Sequence, residues 1–279
     1  MNRNTKSAGY ATRWAMAVMA LLSLANGATA EGDLGSAATN PLGNLMSFRV
    51  QSQISTYNNA DGESVTGLFQ TVLPFQTGWD SMPLFITRAT IPYTRTPDLP
   101  GVGHIDGLGD TAILNFFIPK RKFLGGHVAF GPALTIPTGG DNPFVGSNQW
   151  QIGPNFVYMN ANTPKLQWGA MVFGQFSFAD TEPDNAAEPG SVSVVNIQPI
   201  LTRHLDNGWY IAAPDLPQTY NFKTNRWNLN LGPVVGRIFN WGKQPVQVFG
   251  GIYYNTEDYG DIAPEWTFKF NISFLIPKS

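Results

Sequence analysis

The chain contains no cysteine, and charge is scarce: Asp, Glu, Lys and Arg make up 13% of its 279 residues. Without cysteine there is no disulfide frame, no thiol nucleophile and no thiolate metal site. Charged residues at about half their usual ~25% share argue against an ordinary soluble surface. Yet mean hydropathy is only −0.12, so the chain is not greasy throughout. Beyond the amino terminus no stretch reaches the ~18 unbroken apolar residues of a membrane-spanning helix. Amphipathic helical patterns longer than two turns are missing as well. Histidine occurs three times, at His104, His127 and His204, which cannot form one metal cluster if the chain folds as the barrel expected below. No G-x-S-x-G elbow is present. What remains is rich in Gly, Asn, Gln, Ser, Thr and aromatic residues.

The amino terminus has a leader pattern. Arg3, Lys6 and Arg13 precede an apolar run at 14–25, and Ala28-Thr29-Ala30 follows as a small-x-small cleavage site. Residues 1–30 are therefore read as a signal peptide cut before Glu31. The run is shorter than the ~20 residues an anchor helix needs. Cleavage removes three basic residues and no acid, so the exported chain is more acidic than the formal −2 of the precursor.

Alternation dominates the rest. In the stretch 166–179, Leu166, Trp168, Ala170, Val172, Phe176 and Phe178 share one parity. Gln167, Met171, Phe173, Gln175 and Ser177 share the other. Successive side chains of a strand point to opposite faces, so this is an extended segment with one greasy face and one mixed face. Twelve such segments are expected, at 46–57, 63–75, 84–94, 108–118, 127–138, 149–160, 166–179, 191–203, 208–214, 226–238, 245–255 and 265–276. Most are long enough to cross a bilayer at a tilt, which takes about nine to eleven residues. Soluble strands are usually about half that length.

The connections alternate too. "NADG", "RTPDLPGVGHID", "GGDNPFVGS", "DTEPDNAAEPG", "DLPQTYNFKT" and "TEDYGDIAP" form one set, and "QTGWDSMP", "PKRKFLGG", "ANTPK", "HLDNG" and "NWGKQ" the other. Fifteen of the nineteen acids, Asp110, Asp180 and Asp215 among them, fall in or beside the first set. Lys120, Arg121, Lys122, Lys165, Arg203, Arg237, Lys243 and Lys278 gather at the other end. Trp150, Trp168, Trp209, Trp227 and Trp266 sit near segment ends on the apolar parity, where interfacial girdles lie. The expected fold is all-β: a transmembrane antiparallel up-and-down β-barrel of about twelve strands, within about ten to fourteen, spanning 46–279. Residues 31–45 are expected as a periplasmic segment that could form a small plug. In "NPLGNLMS", Asn40 could cap one helical turn with Pro41 at its first position.

If the apolar face meets lipid, the other face encloses a lumen. A barrel of this size leaves a narrow pore or a ligand-sized cavity. Its lining candidates are Arg49, Gln70, Arg88, Asn115, Met171, Phe173, Gln175, Asn196, Gln198, Asn228, Asn230, Phe249, Tyr253, Lys269 and Asn271. Arg49, Arg88 and Lys269 are its inward charges. An excess of positive charge in a low-dielectric passage favours anions, unless an inner carboxylate such as Asp110 or the amino-terminal acids neutralise it. The apolar members offset a solute's loss of water and favour small apolar or aromatic molecules. No catalytic residue, cofactor or metal is expected. His104 could meet a loop serine such as Ser147, but their spacing does not require it. Expected partners are outer-membrane lipid and lipopolysaccharide, a small-molecule solute and the barrel insertion machinery, with no nucleic acid. The expected place is the cell outer membrane of a Gram-negative bacterium. The rival readings are a lipid-modifying or esterase barrel and a closed structural or adhesive barrel.

The opening "NPLGNLMSFRVQSQIS", 40–55, resembles that of an outer-membrane transporter family of the phenol meta-degradation pathway type. "LFQTVLPFQTGWDSMPLFITRATIPY", "GLGDTAILNFFIPK", "GPALTIPTGGDN" and "QWQIGPNFVY" look like further pieces of that pattern. The resemblance implies a channel or binding barrel for hydrophobic or aromatic compounds at the outer membrane. It carries no catalytic residues.

Overall fold

The computed structural model describes residues 32–57, 62–99, 101–140, 145–163, 165–180, 191–256 and 264–277. The expected leader at 1–30, and the acid-rich connections at 181–190 and 257–263, lie outside these residues. After a helix, α1 (Gly32–Thr39), the chain is almost wholly strand. The first half gives β1 (Leu45–Tyr57), β2 (Glu63–Gln76), β3 (Leu84–Arg95), β4 (Asp106–Leu108), β5 (Thr111–Ile118), β6 (His127–Ile136), β7 (Gln149–Thr163) and β8 (Leu166–Asp180). The second half gives β9 (Ser193–His204), β10 (Trp209–Ala212), β11 (Gln218–Asn221), β12 (Arg226–Asn228), β13 (Asn230–Leu231), β14 (Val234–Trp241), β15 (Gln244–Asn255) and β16 (Pro264–Pro277).

Sequential neighbours pair antiparallel, and β1 pairs β16 from Leu45↔Pro277 to Tyr57↔Pro264, so the first and last strands meet. Several strands are collinear pieces of one wall element: β4 with β5, β10 with β11, and β12 with β13 and β14. Counted that way the sheet is a closed antiparallel barrel of twelve staves, as the alternation predicts.

Which face is outside is settled by exposure. On β8, Trp168 and Phe178 are exposed while Gln167 and Met171 are buried. On β7, Trp150, Ile152 and Phe156 are exposed, and Gln149, Gln151 and Asn155 are buried. A water-soluble sheet would reverse that order, because burying amides and exposing rings gains nothing in water. Rings cluster at both rims. Tyr158 and Trp168 pack at one end with centroids 5.4 Å apart. Tyr254–Trp266 at 4.9 Å and Tyr220–Trp227 at 5.0 Å stand at the other. Amphipathic rings collect at the two headgroup levels of a spanning barrel. This is a membrane-spanning barrel of the Gram-negative outer-membrane type.

One stave departs from the expected pattern. The segment 208–214 was expected as one short strand followed by an outer loop. Instead β10 ends at Ala212, the chain leaves the ladder, and β11 rejoins β9 through Gln218↔Ile197. The cause is local: Pro214 and Pro217 have no N–H to give to a ladder. The neighbouring stave breaks at the same height, at Gly232-Pro233. Gln218 repairs part of the gap, since its amide donates to Asn230 O at 2.9 Å and accepts from Asn230 N at 2.6 Å.

The helix is also displaced from its expected place. It lies at Gly32–Thr39, upstream of Asn40, and Asn40 serves the turn after it by accepting from Leu42 N at 2.9 Å. Gly43 is required there, because a Cβ would lie 2.4 Å from Ala37 O.

Candidate functional site: the barrel lumen

The inward faces of β1, β2, β3, β8, β9, β14, β15 and β16 enclose a cavity of about 270 Å³, floored by 37–43. Of the expected lining residues, Arg49, Gln70, Arg88, Met171, Phe173, Gln198, Phe249 and Lys269 border it. Tyr253 and Asn271 are buried on the same faces. Gln175, Asn196, Asn228 and Asn230 lie nearer the outer rim.

Asn115 does not belong to the lumen. Its partner across the ladder is Thr87, and it accepts a hydrogen bond from Thr87 Oγ1 at 3.0 Å on the lipid-side parity. Leu114, Phe116 and Ile118 point inward instead and join the core with Ile86 and Met171. Both parities of "AILNFFI" are largely apolar, so one asparagine decided the wrong phase. The true phase comes from register with β3.

The outer half of the lumen carries a polar chain along its wall. Ser147 Oγ donates to Asp110 at 2.6 Å, Gln151 Nε2 to Ser147 Oγ at 2.8 Å, and Gln175 Nε2 to Gln151 Oε1 at 3.3 Å. Asn196 Nδ2 then donates to Gln175 Oε1 at 2.8 Å, and Thr219 Oγ1 to Asn196 at 2.7 Å. Asp110 thus anchors a loop rather than neutralising the inward cations.

That task falls to Asp215, which was expected in an outer loop. The proline-flanked excursion drops it into the cavity. There it meets Lys269 Nζ at 2.7 Å and accepts from Tyr253 Oη at 2.5 Å. Gln198 Nε2 donates to its carbonyl at 3.2 Å. The cavity lining holds three cations, Arg49, Arg88 and Lys269, against one carboxylate. The signal was present in "APDLPQ": two prolines around an acid argue for a chain leaving a ladder.

The barrel end where β1 starts and β16 finishes holds α1. Ala38 packs with Leu45, Tyr210, Val234 and Phe249, all inward residues. Gln167 Nε2 donates to Ser36 O at 2.9 Å. Thr39 Oγ1 donates to Gln167 Oε1 at 2.8 Å and lies 3.2 Å from His204 Nε2. The same hydroxyl also lies within reach of the Gly35 and Ser36 carbonyls, so it ties the end of α1 to Gln167 and His204 together. His104 contacts Asp98 at 3.6 Å, while Ser147 is engaged with Asp110. Among the described residues no serine stands in hydrogen-bond reach of a histidine. Nor do three His, Asp or Glu residues stand together as metal ligands.

The fold and lumen define the class: an outer-membrane β-barrel with an amphiphilic interior. Among solved structures the chain is similar to the COG4313 outer membrane channel from Pseudomonas putida F1. That likeness has a TM-score of 0.60 and 14% identity, and it covers 84% of this chain and 96% of the channel. Looser likenesses are the KdgM porin, with a TM-score of 0.46, 7% identity and 83% and 99% coverage, and the outer membrane phospholipase A from Escherichia coli. For the latter the TM-score is 0.43, identity 15% and coverage 84% and 90%. At such scores the last two share only the barrel in outline. No family model and no curated protein matches the chain.

Proposed function

We propose that this protein is an outer-membrane channel for small apolar or aromatic solutes, which cross by passive or facilitated diffusion. The observation that carries this reading is the cavity itself. One wall is amide- and cation-bearing, through Gln70, Arg49 and Arg88, and the facing wall is apolar, through Met171, Phe173 and Ile200. A general pore for hydrated solutes has no use for the second wall, whereas a closed structural barrel would fill the space. Helix α1 acts as a small plug that narrows the periplasmic mouth. A substrate of the phenol-degradation type fits the same wall chemistry, and the leader at 1–30 would deliver the chain to the periplasm.

Conductance in planar bilayers and swelling of protein-loaded liposomes test the reading. Permeation of single-ring solutes, faster than of sugars of equal mass, is expected. A barrier closed to every small solute would establish the structural rival. Lipid mass spectrometry after incubation with the purified barrel tests the enzyme rival; turnover abolished by His104→Ala would overturn the channel assignment.

A further inference from the structure

We infer that the lumen contains a binding site for a single-ring organic carboxylate, whose anionic end sits on Arg49 and Arg88 and whose ring lies on Met171 and Phe173. The inference rests on the channel reading of the same cavity and adds the charge and shape of the molecule it takes.

The first ground is unused donors. A guanidinium offers five N–H groups in a planar fork, and buried donors are normally satisfied. Arg88 Nε has no hydrogen-bond partner among the described residues, and Arg88 Nη2 meets only the thioether sulfur of Met171, at 3.8 Å. Arg49 Nε reaches only Ser47 Oγ, at 3.3 Å. The second ground is the fate of the carboxylate. Asp215 holds Lys269 at one oxygen and Tyr253 at the other, and neither Arg49 nor Arg88 is hydrogen-bonded to it. Arg49, Arg88 and Asp215 lie within electrostatic reach of one another, which leaves a surplus of positive charge at the two forks. A carboxylate accepts two parallel N–H bonds from such a fork.

The third ground is what stands beside the forks. The Arg88–Met171 contact sets the cation at the edge of an apolar surface that continues through Phe173 and Ile200. An inorganic anion would leave that surface wetted. A molecule with a carboxylate at one end and a flat apolar body at the other satisfies both. Size sets the last limit. A 150 Å³ apolar cavity accommodates benzene, so about 270 Å³ holds one ring with a carboxylate and little more.

Direct binding separates this inference from the channel reading. The full mature barrel in detergent is titrated with benzoate, benzamide and inorganic phosphate by calorimetry, and conductance is measured in parallel. Benzoate should bind at least about tenfold tighter than benzamide, which has the ring without the charge, and than phosphate, which has the charge without the ring. Arg88→Gln should weaken benzoate by about tenfold or more and leave benzamide unchanged. Arg88→Lys, which retains the charge but loses the fork, provides the test if the glutamine variant does not fold. Phe173→Ala should weaken benzoate and benzamide alike. Equal binding of benzoate and benzamide, or phosphate binding as tightly as benzoate, overturns the inference even if the pore conducts. Benzoate binding in a barrel that does not conduct overturns the channel reading and leaves the site standing.

Discussion

Replacing Asp215 by asparagine should destabilise the barrel more than replacing any one of the cations around it. The exchange keeps the side chain's shape, and the amide oxygen can still accept from Tyr253 Oη. What is lost is the counter-charge of Lys269, whose side chain is 5% exposed against 26% for Asp215. Removing one partner of a buried pair costs ~3–5 kcal/mol; water reaching Asp215 places this case near the lower end, about 3 kcal/mol. That is about a hundredfold in the folded-to-unfolded ratio. Lys269→Met should cost only ~1 kcal/mol, because Asp215 keeps the Tyr253 hydrogen bond and the nearby arginines. The double variant Asp215→Asn/Lys269→Met should recover most of the loss, with a coupling of ~3 kcal/mol that leaves it about 1 kcal/mol below the parent. Urea titration in lipid vesicles, followed by tryptophan fluorescence and by heat-modifiable gel mobility, measures all four proteins. If Lys269→Met proves the more damaging change, or the double variant is as unstable as Asp215→Asn, the three-against-one charge accounting is wrong.

Four further outcomes are expected. Arg88→Glu changes the cavity from three cations and one carboxylate to two of each, so the reversal potential in a salt gradient should move toward cation preference; an unmoved potential would mean that Arg88 is neutralised by a partner. Phe156, exposed at the middle of β7, should tolerate leucine, whereas Phe156→Arg should cost ~2–4 kcal/mol in vesicle refolding; equal stability of the two would turn the barrel inside out. Gly236 lies across the ladder from Tyr210, and a Cβ there would be 2.3 Å from the ring, so Gly236→Val should lose ~1–3 kcal/mol and break the Gln247–Tyr210 hydrogen bond. Unchanged near-ultraviolet circular dichroism in that variant would show that the ring has room to move. Finally, Gln167→Leu removes the anchor of α1 and should raise single-channel conductance or its noise; identical traces would mean that the helix does not narrow the pathway.

Period-two alternation and rim chemistry were legible in the sequence because each is local. A strand's two faces are written in consecutive residues, and Trp168 or Phe178 against Gln167 or Met171 needs no neighbour to be interpreted. The same held for Arg49 and Lys269 as inward charges, each flanked by apolar residues of the opposite parity, and less sharply for Arg88, between Thr87 and Ala89. It failed at Asn115, where both parities are apolar and phase depends on pairing with Thr87 across β3. It failed again for the start of the chain, where helical propensity in "GDLGSAAT" is weak and α1 is held by Gln167, distant in sequence.

What the sequence by itself determined is therefore the barrel, its number of staves and which side meets lipid, since a bilayer imposes the same alternation on every strand independently. What only the tertiary structure decided is the content of the lumen. Asp215 finds Lys269 and Tyr253, and α1 finds Gln167 and His204, through barrel closure, and no local pattern encodes which residues a closed wall brings face to face.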